Sequence, residues 1–271
     1  MTTILADASA PAIVEALDRH ERELSATYAR ALGGYVDDRA DMLAYVTGLP
    51  APWANGVKAP RLPDAGADQA IESVAKLLRS HGVAGTWSVG PLATPKDLGD
   101  RLERSGCGRE FDLRMMAAEI ARVDLDIADP PELSIRRVRS EEDHRAWLRV
   151  MEVGFDMPEG HTRTIDRTAR AVGFGPDVPW VRFVGTRDGQ PVASSGLMLF
   201  GGLAGLYNVA TVPEARRNGF GAAMTLEAIR FGRDAGYRVT ALGASDMGRG
   251  VYERMGFREV CVVRQYVYEP E

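Results

Sequence analysis

The sequence has few of the residues that build disulfide frameworks or metal centres. Its 271 residues include two cysteines, Cys107 and Cys261, and four histidines. Two distant cysteines indicate neither a disulfide framework nor a zinc site. His20, His81 and His144 lie on polar stretches with helical character and lack the spacing of metal ligands. We therefore expect no metal.

Long apolar runs and an excess of positive charge are also missing. No apolar run approaches the length of a transmembrane helix, and residues 1–10 lack the basic start and apolar core of a signal peptide. The net charge of −5 argues against a general binder of nucleic acids or membrane surfaces. We expect a cytoplasmic protein without nucleic-acid or membrane partners.

A glycine-containing loop is the first feature with chemical content. Residues 216–221 read Arg-Arg-Asn-Gly-Phe-Gly and stand between a strand-like run, 206–212, and a stretch with helical periodicity, 222–231. Backbone amides at such a helix N-terminus favour a phosphate. Gly219 and Gly221 permit left-handed backbone angles, and Arg216 offers a charge-assisted contact. Taken alone, the same spacing also occurs in ordinary turns.

A second motif follows at a plausible distance. After a short apolar run, 238–243, residues 251–257 read Val-Tyr-Glu-Arg-Met-Gly-Phe. The two motifs in this order resemble the GCN5-related N-acetyltransferases (GNAT), over roughly 133–268 and most specifically over 206–257. The resemblance implies the GNAT fold, an α/β mixed sheet. It also implies acetyl-CoA-dependent acetyl transfer to a primary amine of a small molecule or peptide, directly in a ternary complex.

The resemblance implies a set of site residues as well. Tyr252 corresponds to the family's general acid. A phenol suits this role, because it stays protonated at neutral pH and can donate to a thiolate. The alternative is an aromatic ring that only packs on the sheet. Ser245 stands where many members have an asparagine that contacts the coenzyme. The residues expected to bind acetyl-CoA are Val209, Ala210, Thr211, Arg216, Arg217, Asn218, Gly219, Phe220, Gly221, Ala222 and Ser245.

The general base is not identified by the sequence. Many relatives have a glutamate on the strand before the tyrosine helix, but the matching position here is near Thr240. Glu152, Asp156 and His161 are candidates, each of them also explained as a solvated surface residue, and Asn208 could hold a water. The missing glutamate leaves a second function open, a CoA-binding sensor or structural module without catalysis. An O-acetyltransferase or a longer acyl donor is also possible.

The chain divides at a proline-containing segment. Residues 124–131 read Asp-Leu-Asp-Ile-Ala-Asp-Pro-Pro, which is typical of a linker. We predict two domains, 1–129 and 130–271. The run Leu102-Glu103-Arg104-Ser105-Gly106-Cys107 resembles residues 252–257, but Leu102 stands where the tyrosine would be. We therefore expect tandem GNAT-like domains with a degenerate first copy, the alternative being an unrelated α/β cap. A homodimer is possible.

The remaining patterns predict the order of elements. Residues 133–138 alternate like an edge strand, Ser140 begins a helix, and 162–172 form another. Asp188-Gly189 between two apolar runs predicts a hairpin. The tryptophans are expected to be core or interface anchors. Together these elements predict a mixed sheet with helices on both faces.

Overall fold

The computed structural model describes residues 3–175 and 177–270 of the chain. The described residues form seven α-helices: α1 (Ala10–Ala31), α2 (Ala67–His81), α3 (Leu98–Arg104), α4 (Glu141–Phe155), α5 (Glu159–Val172), α6 (Phe220–Asp234) and α7 (Asp246–Arg254). They also form eleven strands: β1 (Tyr35–Asp38), β2 (Leu43–Val46), β3 (Asn55–Lys58), β4 (Gly85–Val89), β5 (Gly108–Glu119), β6 (Ser134–Arg137), β7 (Trp180–Arg187), β8 (Gln190–Phe200), β9 (Leu203–Thr211), β10 (Val239–Ala244) and β11 (Arg258–Tyr268).

The strands make one continuous sheet in the order β1-β2-β3-β4-β11-β5-β10-β9-β8-β7-β6. Two neighbouring pairs, β3–β4 and β9–β10, are parallel. The other pairs are antiparallel. The prediction of an α/β mixed sheet is confirmed, and β6 is the edge strand that the alternating pattern predicts.

The sheet contains the same unit twice. In the N-terminal half, β3, α2 and β4 form a parallel β-α-β unit that continues through α3 into the long strand β5. In the C-terminal half, β9, α6 and β10 form the corresponding unit, which continues through α7 into β11. This repetition agrees with the expectation of two GNAT-like copies.

The two copies exchange their last strands. β11 pairs with β4 of the N-terminal half, placing Tyr266 opposite Trp87. β5 pairs with β10 of the C-terminal half, placing Met115 opposite Gly243. β5 and β11 also pair with each other, so they join the two halves at the middle of the sheet.

The linker predicted at 124–131 lies between these halves. It contains no helix or strand, and Arg230 of α6 holds it in place. The Arg230 side chain donates to the carbonyls of Leu125 and Ile127, at 3.1 and 2.8 Å, and pairs with Asp129 at 3.1 Å. The domain division at 129 stays a prediction, and its outer ends, residues 1 and 271, lie outside the described residues.

Local signals in the C-terminal half give the predicted elements. Ser140 is the N-cap of α4 and accepts a hydrogen bond from the Asp143 amide at 3.1 Å. Asp188 and Gly189 have φ values of 51° and 75°, which the β7–β8 hairpin requires. Trp87, Trp147 and Trp180 are buried, and Trp53 packs partly buried against the core, as expected for anchors.

Helix α1 is the main element that the sequence analysis does not predict. Its buried side chains pack on both halves of the sheet: Leu17 lies in a cluster with Met115 of β5, and Leu24 in a cluster with Met198 of β8. His20 on α1 is 1% exposed and is therefore not the surface histidine that its polar surroundings suggest. His144 on α4 is also buried, and its Nε2 donates to the Asp166 carboxylate at 2.7 Å. Both histidines are inside because each lies on the buried face of its helix.

Two structural findings concern membranes and metal ions. Among the described residues, no helix is both long and apolar enough to cross a bilayer. The same part of the chain contains no group of three or more His, Cys, Asp or Glu side chains arranged to hold a metal ion.

Candidate functional site

The two parallel strands of the C-terminal half separate partway along their length. β9 and β10 pair at three positions, from Ala204 opposite Thr240 to Leu206 opposite Leu242. Beyond these positions β9 continues to Thr211 while β10 turns into α7. On the side away from β8, the backbone of Val209, Ala210 and Thr211 therefore faces an opening in the sheet instead of a paired strand. This is the strand segment that was predicted to bind acetyl-CoA.

A β-bulge sits at the start of this opening. Two residues of β9, Asn208 and Val209, oppose Ser195 of β8 alone, and Asn208 has a φ of 58°. The Ser194 hydroxyl donates to the Asn208 carbonyl at 3.0 Å and holds the bulge. Among the described residues, the buried Asn208 Oδ1 has no hydrogen-bond partner. Such an oxygen can accept a hydrogen bond from a water, which is the role predicted for Asn208, or from an amine.

The glycine-containing loop forms the N-terminus of α6 next to the opening. Gly219 is the N-cap residue with a φ of 78°, and it supplies no side chain to cap the helix. The amides of Phe220, Gly221 and Ala222 in the first turn have no partner within the helix and point outward from its end. Only Gly219 uses the left-handed freedom predicted for both glycines, because Gly221 lies within the helix.

The loop side chains contribute mainly to its shape. Arg216 donates to the carbonyls of Thr211 and Gly154, at 3.2 and 2.9 Å, and so joins the loop to β9 and α4. The Asn218 amide donates to the Ala215 carbonyl at 3.2 Å. Arg217 is exposed with a φ of 65°. Because the partners of Arg216 are neutral, the loop keeps its positive charge, which favours an anion.

Two predicted residues belong to α7, on the other side of the opening: Ser245 is the residue that caps its N-terminus, and Tyr252 lies within the helix. The Ser245 hydroxyl accepts from the Gly248 amide at 3.2 Å and caps α7, so it is already engaged. Tyr252 packs near Phe257, with ring centroids 5.8 Å apart. Burial raises the pKa of Tyr252, which keeps the phenol protonated at neutral pH and able to donate.

The predicted bases do not gather at the opening. Glu152 is exposed on α4, and Asp156 is the exposed residue that ends this helix. Neither carboxylate is among the side chains that line the cavity next to the opening, which is described below. Thr240, at the position where relatives have a glutamate, is buried and donates to the Ala204 carbonyl at 2.9 Å. It therefore holds the two strands together.

A cavity of about 390 Å³, called the chamber here, adjoins the opening. Tyr207 and Asn208 of β9 form part of its wall, beside side chains from α1 and from both halves of the sheet. Half-exposed Phe111 and Phe155 also line it and mark its mouth. Most of the remaining lining is apolar, including Leu24, Tyr28, Met151, Ile165, Met198 and Val263.

One wall of the chamber carries a continuous chain of hydrogen bonds. His20 Nδ1 lies 3.0 Å from the Phe200 carbonyl, and its Nε2 lies 3.1 Å from the Tyr207 hydroxyl. The Tyr207 hydroxyl is 2.8 Å from Glu21 Oε1. Glu21 Oε2 is 3.2 Å from Lys58 Nζ. Beyond Lys58 the chain continues to Ser88 at 3.0 Å and from Ser88 to Gln265 at 2.9 Å.

Burial and charge set the protonation of this chain. Burial lowers the pKa of His20, although Glu21 and the Phe200 carbonyl oppose the shift. Burial alone would raise the pKa of Glu21, but Lys58, His20 and the Tyr207 hydrogen bond more than offset it and lower the pKa. At neutral pH His20 is therefore neutral and Glu21 is a carboxylate. The sequence analysis missed this chain because its side chains come from α1 and from four separate strands, β3, β4, β9 and β11.

The corresponding position in the N-terminal half is closed. β3 and β4 pair at only two positions, and Lys58 then bridges the strands through Ser88. Where α6 has its glycine loop, α2 has Asp64 just before its N-terminus and Asp68 in its first turn, both paired with Arg101. Carboxylates at this helix end disfavour a phosphate. Leu102, at the position that corresponds to the tyrosine, is fully buried in the N-terminal core.

Comparisons with known proteins agree with this architecture. Residues 180–259 match the family model of the acetyltransferase (GNAT) domain. The structure resembles a GCN5-related N-acetyltransferase from Kribbella flavida, with a TM-score of 0.72 and 16% identity over 92% of this chain and 95% of that one. It resembles a GCN5-related N-acetyltransferase from Sphaerobacter thermophilus, with a TM-score of 0.60 and 17% identity over 94% and 93%.

A third similar structure is a tandem GNAT protein from the clavulanic acid biosynthesis pathway. Its TM-score is 0.56 at 15% identity, and the match covers 87% of this chain and 78% of that one. At these identities the likeness shows a shared fold. The sequence matches none of the curated proteins.

Proposed function

We propose that the chain, whose residues 180–259 match the acetyltransferase (GNAT) domain, transfers an acetyl group from acetyl-CoA to a primary amine of a small molecule or peptide. The observation that carries the proposal is the opening between β9 and β10, with the uncapped amides of α6 at its end. The opening suits an extended arm, and the amides suit a diphosphate.

The residues at the opening fit acetyl-CoA. The backbone of 209–211 would hold the arm, and the loop 216–222 would hold the diphosphate, with positive charge from Arg216 and Arg217. When bound, acetyl-CoA supplies an activated acyl carbon. Ser245 caps α7 and would contact the coenzyme only through its remaining hydrogen-bonding capacity.

The chain's own groups supply the proton transfers of a direct reaction. Tyr252, kept protonated by burial, donates to the leaving sulfur. Asn208 Oδ1 accepts a hydrogen bond from the incoming amine or a water. No cysteine is suited to carry the acetyl group, since burial raises the pKa of Cys107 and raises that of Cys261 to about 11. Glu152 as a base stays a prediction that its exposed position does not support.

The experiment is a thiol-release assay with acetyl-CoA and a panel of primary amines and peptides. We expect release of free CoA that depends on the amine, with mass spectrometry showing an acetylated product. Acetyl-CoA binding without release across the panel would favour the second candidate, a CoA-binding sensor or structural module. The structural role of Thr240, in place of a glutamate, is the observation that favours this candidate.

The predictions about location, partners and oligomeric state also remain proposals. We keep the cytoplasmic location, the absence of nucleic-acid and membrane partners and a possible homodimer as proposals. Size-exclusion chromatography with light scattering would test the oligomeric state.

A further inference from the structure

The chamber has the size and surface of a site for a small apolar molecule. Its volume of about 390 Å³ falls in the range of small-molecule sites. Met151 and Met198 are flexible lining residues that can adapt to different shapes, while Tyr28 offers an aromatic face. Glu21, Lys58, Ser88 and Gln265, joined by the hydrogen-bond chain, form a polar wall. The chamber therefore favours a ligand with an apolar body and one polar end.

The chamber also reaches the place where acetyl transfer would occur. Tyr207 and Asn208 line it, and the next three residues of β9 border the opening proposed for acetyl-CoA. An amine held at this wall would lie beside the bulge at Asn208. Its apolar body would extend toward α1 and the mouth at Phe111.

The hydrogen-bond chain on this wall is one hydrogen short. The Phe200 carbonyl can only accept, so His20 Nδ1 carries the hydrogen of the neutral ring and Nε2 carries none. Two gaps remain, from Nε2 to the Tyr207 oxygen and from that oxygen to Glu21 Oε1. Tyr207 has one hydrogen and can fill only one of them. One added proton fills both gaps, either on Glu21 or, after a shift along the chain, on His20.

At rest Lys58 holds Glu21 ionised and burial holds His20 neutral, while the carboxylates near His20 would stabilise a proton that reaches it. Lys58 stabilises the Glu21 carboxylate at Oε2, while the other oxygen faces Tyr207. An added proton on His20 would be stabilised by this carboxylate and by Glu23. The titratable and charged groups that face the chain come from each element packed against it: Asp18, Glu21, Glu23 and Tyr28 of α1, Tyr45 of β2, Lys58 of β3 and Tyr207 of β9.

We propose that the chamber is the acceptor site for a primary amine with an apolar or aromatic body, and that the His20–Tyr207–Glu21 chain takes the proton this amine must lose. The proposal rests on the acetyl transfer proposed above. It gives the N-terminal half a function, because α1 supplies Glu21 and β3 supplies Lys58.

The transfer balances in protons and electrons. The ammonium form of the amine gives one proton to the chain at Glu21. The nitrogen lone pair then forms the C–N bond with the acyl carbon, and the C–S bond breaks with its electron pair going to sulfur. Tyr252 gives the sulfur a proton and regains one, through water, from the new amide nitrogen. The chain finally returns its proton to solvent.

The first test is binding of phenylalkylamines, from benzylamine to 4-phenylbutylamine, measured by calorimetry with ethanolamine as the polar comparison. We expect phenylalkylamines to bind and ethanolamine to bind at least tenfold more weakly. Val263→Trp, which fills the chamber, should weaken phenylalkylamine binding at least tenfold and leave acetyl-CoA binding unchanged. Leu113→Phe is the milder filling variant if Val263→Trp does not fold. Equal affinity in the filled and wild-type proteins would overturn the chamber as the acceptor site.

The second test separates a proton acceptor from a structural residue. Glu21→Gln should lower kcat/KM on the order of 10²-fold near neutral pH, and the deficit should shrink above about pH 9, where free amine becomes abundant. Glu21→Asp should restore part of the activity. Glu15→Gln, the same change on the exposed side of α1, is the matched control. A deficit that is constant across pH would refute the proton-acceptor role.

Failure of the two proposals can be distinguished. Thiol release with peptides only, unaffected by Val263→Trp, would refute the chamber while keeping acetyl transfer. Phenylalkylamine binding that Val263→Trp abolishes, with no thiol release from any amine, would refute acetyl transfer and the proton-acceptor role with it.

Discussion

Lys58 should stabilise the fold mainly by neutralising Glu21. Its Nζ lies 3.2 Å from Glu21 Oε2 and donates to Ser88 Oγ at 3.0 Å, and the residue is 9% exposed. Lys58→Met keeps most of the side-chain volume and removes the charge. Ser88 keeps its partner Gln265, so the main effect of the substitution is a carboxylate left without its cation.

The expected cost follows from the burial of the pair. Breaking a fully buried ion pair costs about 3–5 kcal/mol. The Glu21 side chain is 28% exposed and retains the Tyr207 hydroxyl, so part of its solvation survives. We therefore expect Lys58→Met to lower the free energy of unfolding by about 2–3 kcal/mol near neutral pH.

The cost should depend on pH with a definite sign. In the wild type the pKa of Glu21 is lowered, so its stabilising contribution is present above the unfolded pKa and is lost as pH falls. Without Lys58, burial dominates and the pKa of Glu21 rises. A carboxyl group whose pKa is raised in the folded protein stabilises the fold at pH values below its unfolded pKa, and this contribution is lost as pH rises. The deficit of Lys58→Met should therefore shrink from about pH 7 to about pH 4.

Urea unfolding at both pH values tests this reasoning. Wild type, Lys58→Met, Glu21→Gln and the double variant form a mutant cycle, in which the double variant should recover much of the loss because neither charge remains. Lys76→Met on the exposed face of α2 is the control and should change stability by no more than about 0.5 kcal/mol. Equal deficits at the two pH values, together with additive effects in the double variant, would show that Lys58 does not act through Glu21.

Three further substitutions test the opening and the N-terminal core. Tyr252→Phe should lower kcat on the order of 10²-fold with little change in the KM for acetyl-CoA, and an unchanged kcat would remove Tyr252 from the reaction. Gly219→Val should weaken acetyl-CoA binding, measured by calorimetry. The cause would be backbone strain at φ 78° and not a clash, since a Cβ at this position would meet only Pro130, at 3.6 Å. Normal affinity would mean that the diphosphate binds elsewhere. Leu102→Ala should cost about 3 kcal/mol in urea unfolding without altering kcat, and a loss of activity in the folded variant would contradict a purely structural role.

The C-terminal half was predictable because its signals are local. The Gly219 loop, the Asp188-Gly189 hairpin and the Ser140 cap each determine a short stretch of backbone through neighbouring residues. The Gly219 loop, together with the motif at 251–257, also carries the resemblance to the GNAT family. The roles of Arg216 and Ser245 were less predictable, since both side chains bond to nearby backbone groups instead of pointing freely toward a ligand site.

The chamber could not be predicted because its wall is assembled from distant segments. Glu21, Lys58 and Tyr207 are far apart in sequence, and each alone looks like an ordinary residue of a helix or strand. Their contact depends on how α1 crosses the sheet. The position of β11 beside β4 is equally non-local, since the alternation of a strand does not determine which distant strand it pairs with.

The exchange of last strands has a consequence for how the protein is made. β11 follows every other described element in chain order, yet it fills the centre of the sheet between β4 and β5. During synthesis, the edge of β4 that pairs with β11 stays unpaired until β11 has emerged. The backbone amides and carbonyls on this edge of β4 are meanwhile open to pairing with other chains. We expect nascent chains arrested before residue 258 to depend on chaperones, and two separately expressed halves to gain solubility when they are produced together.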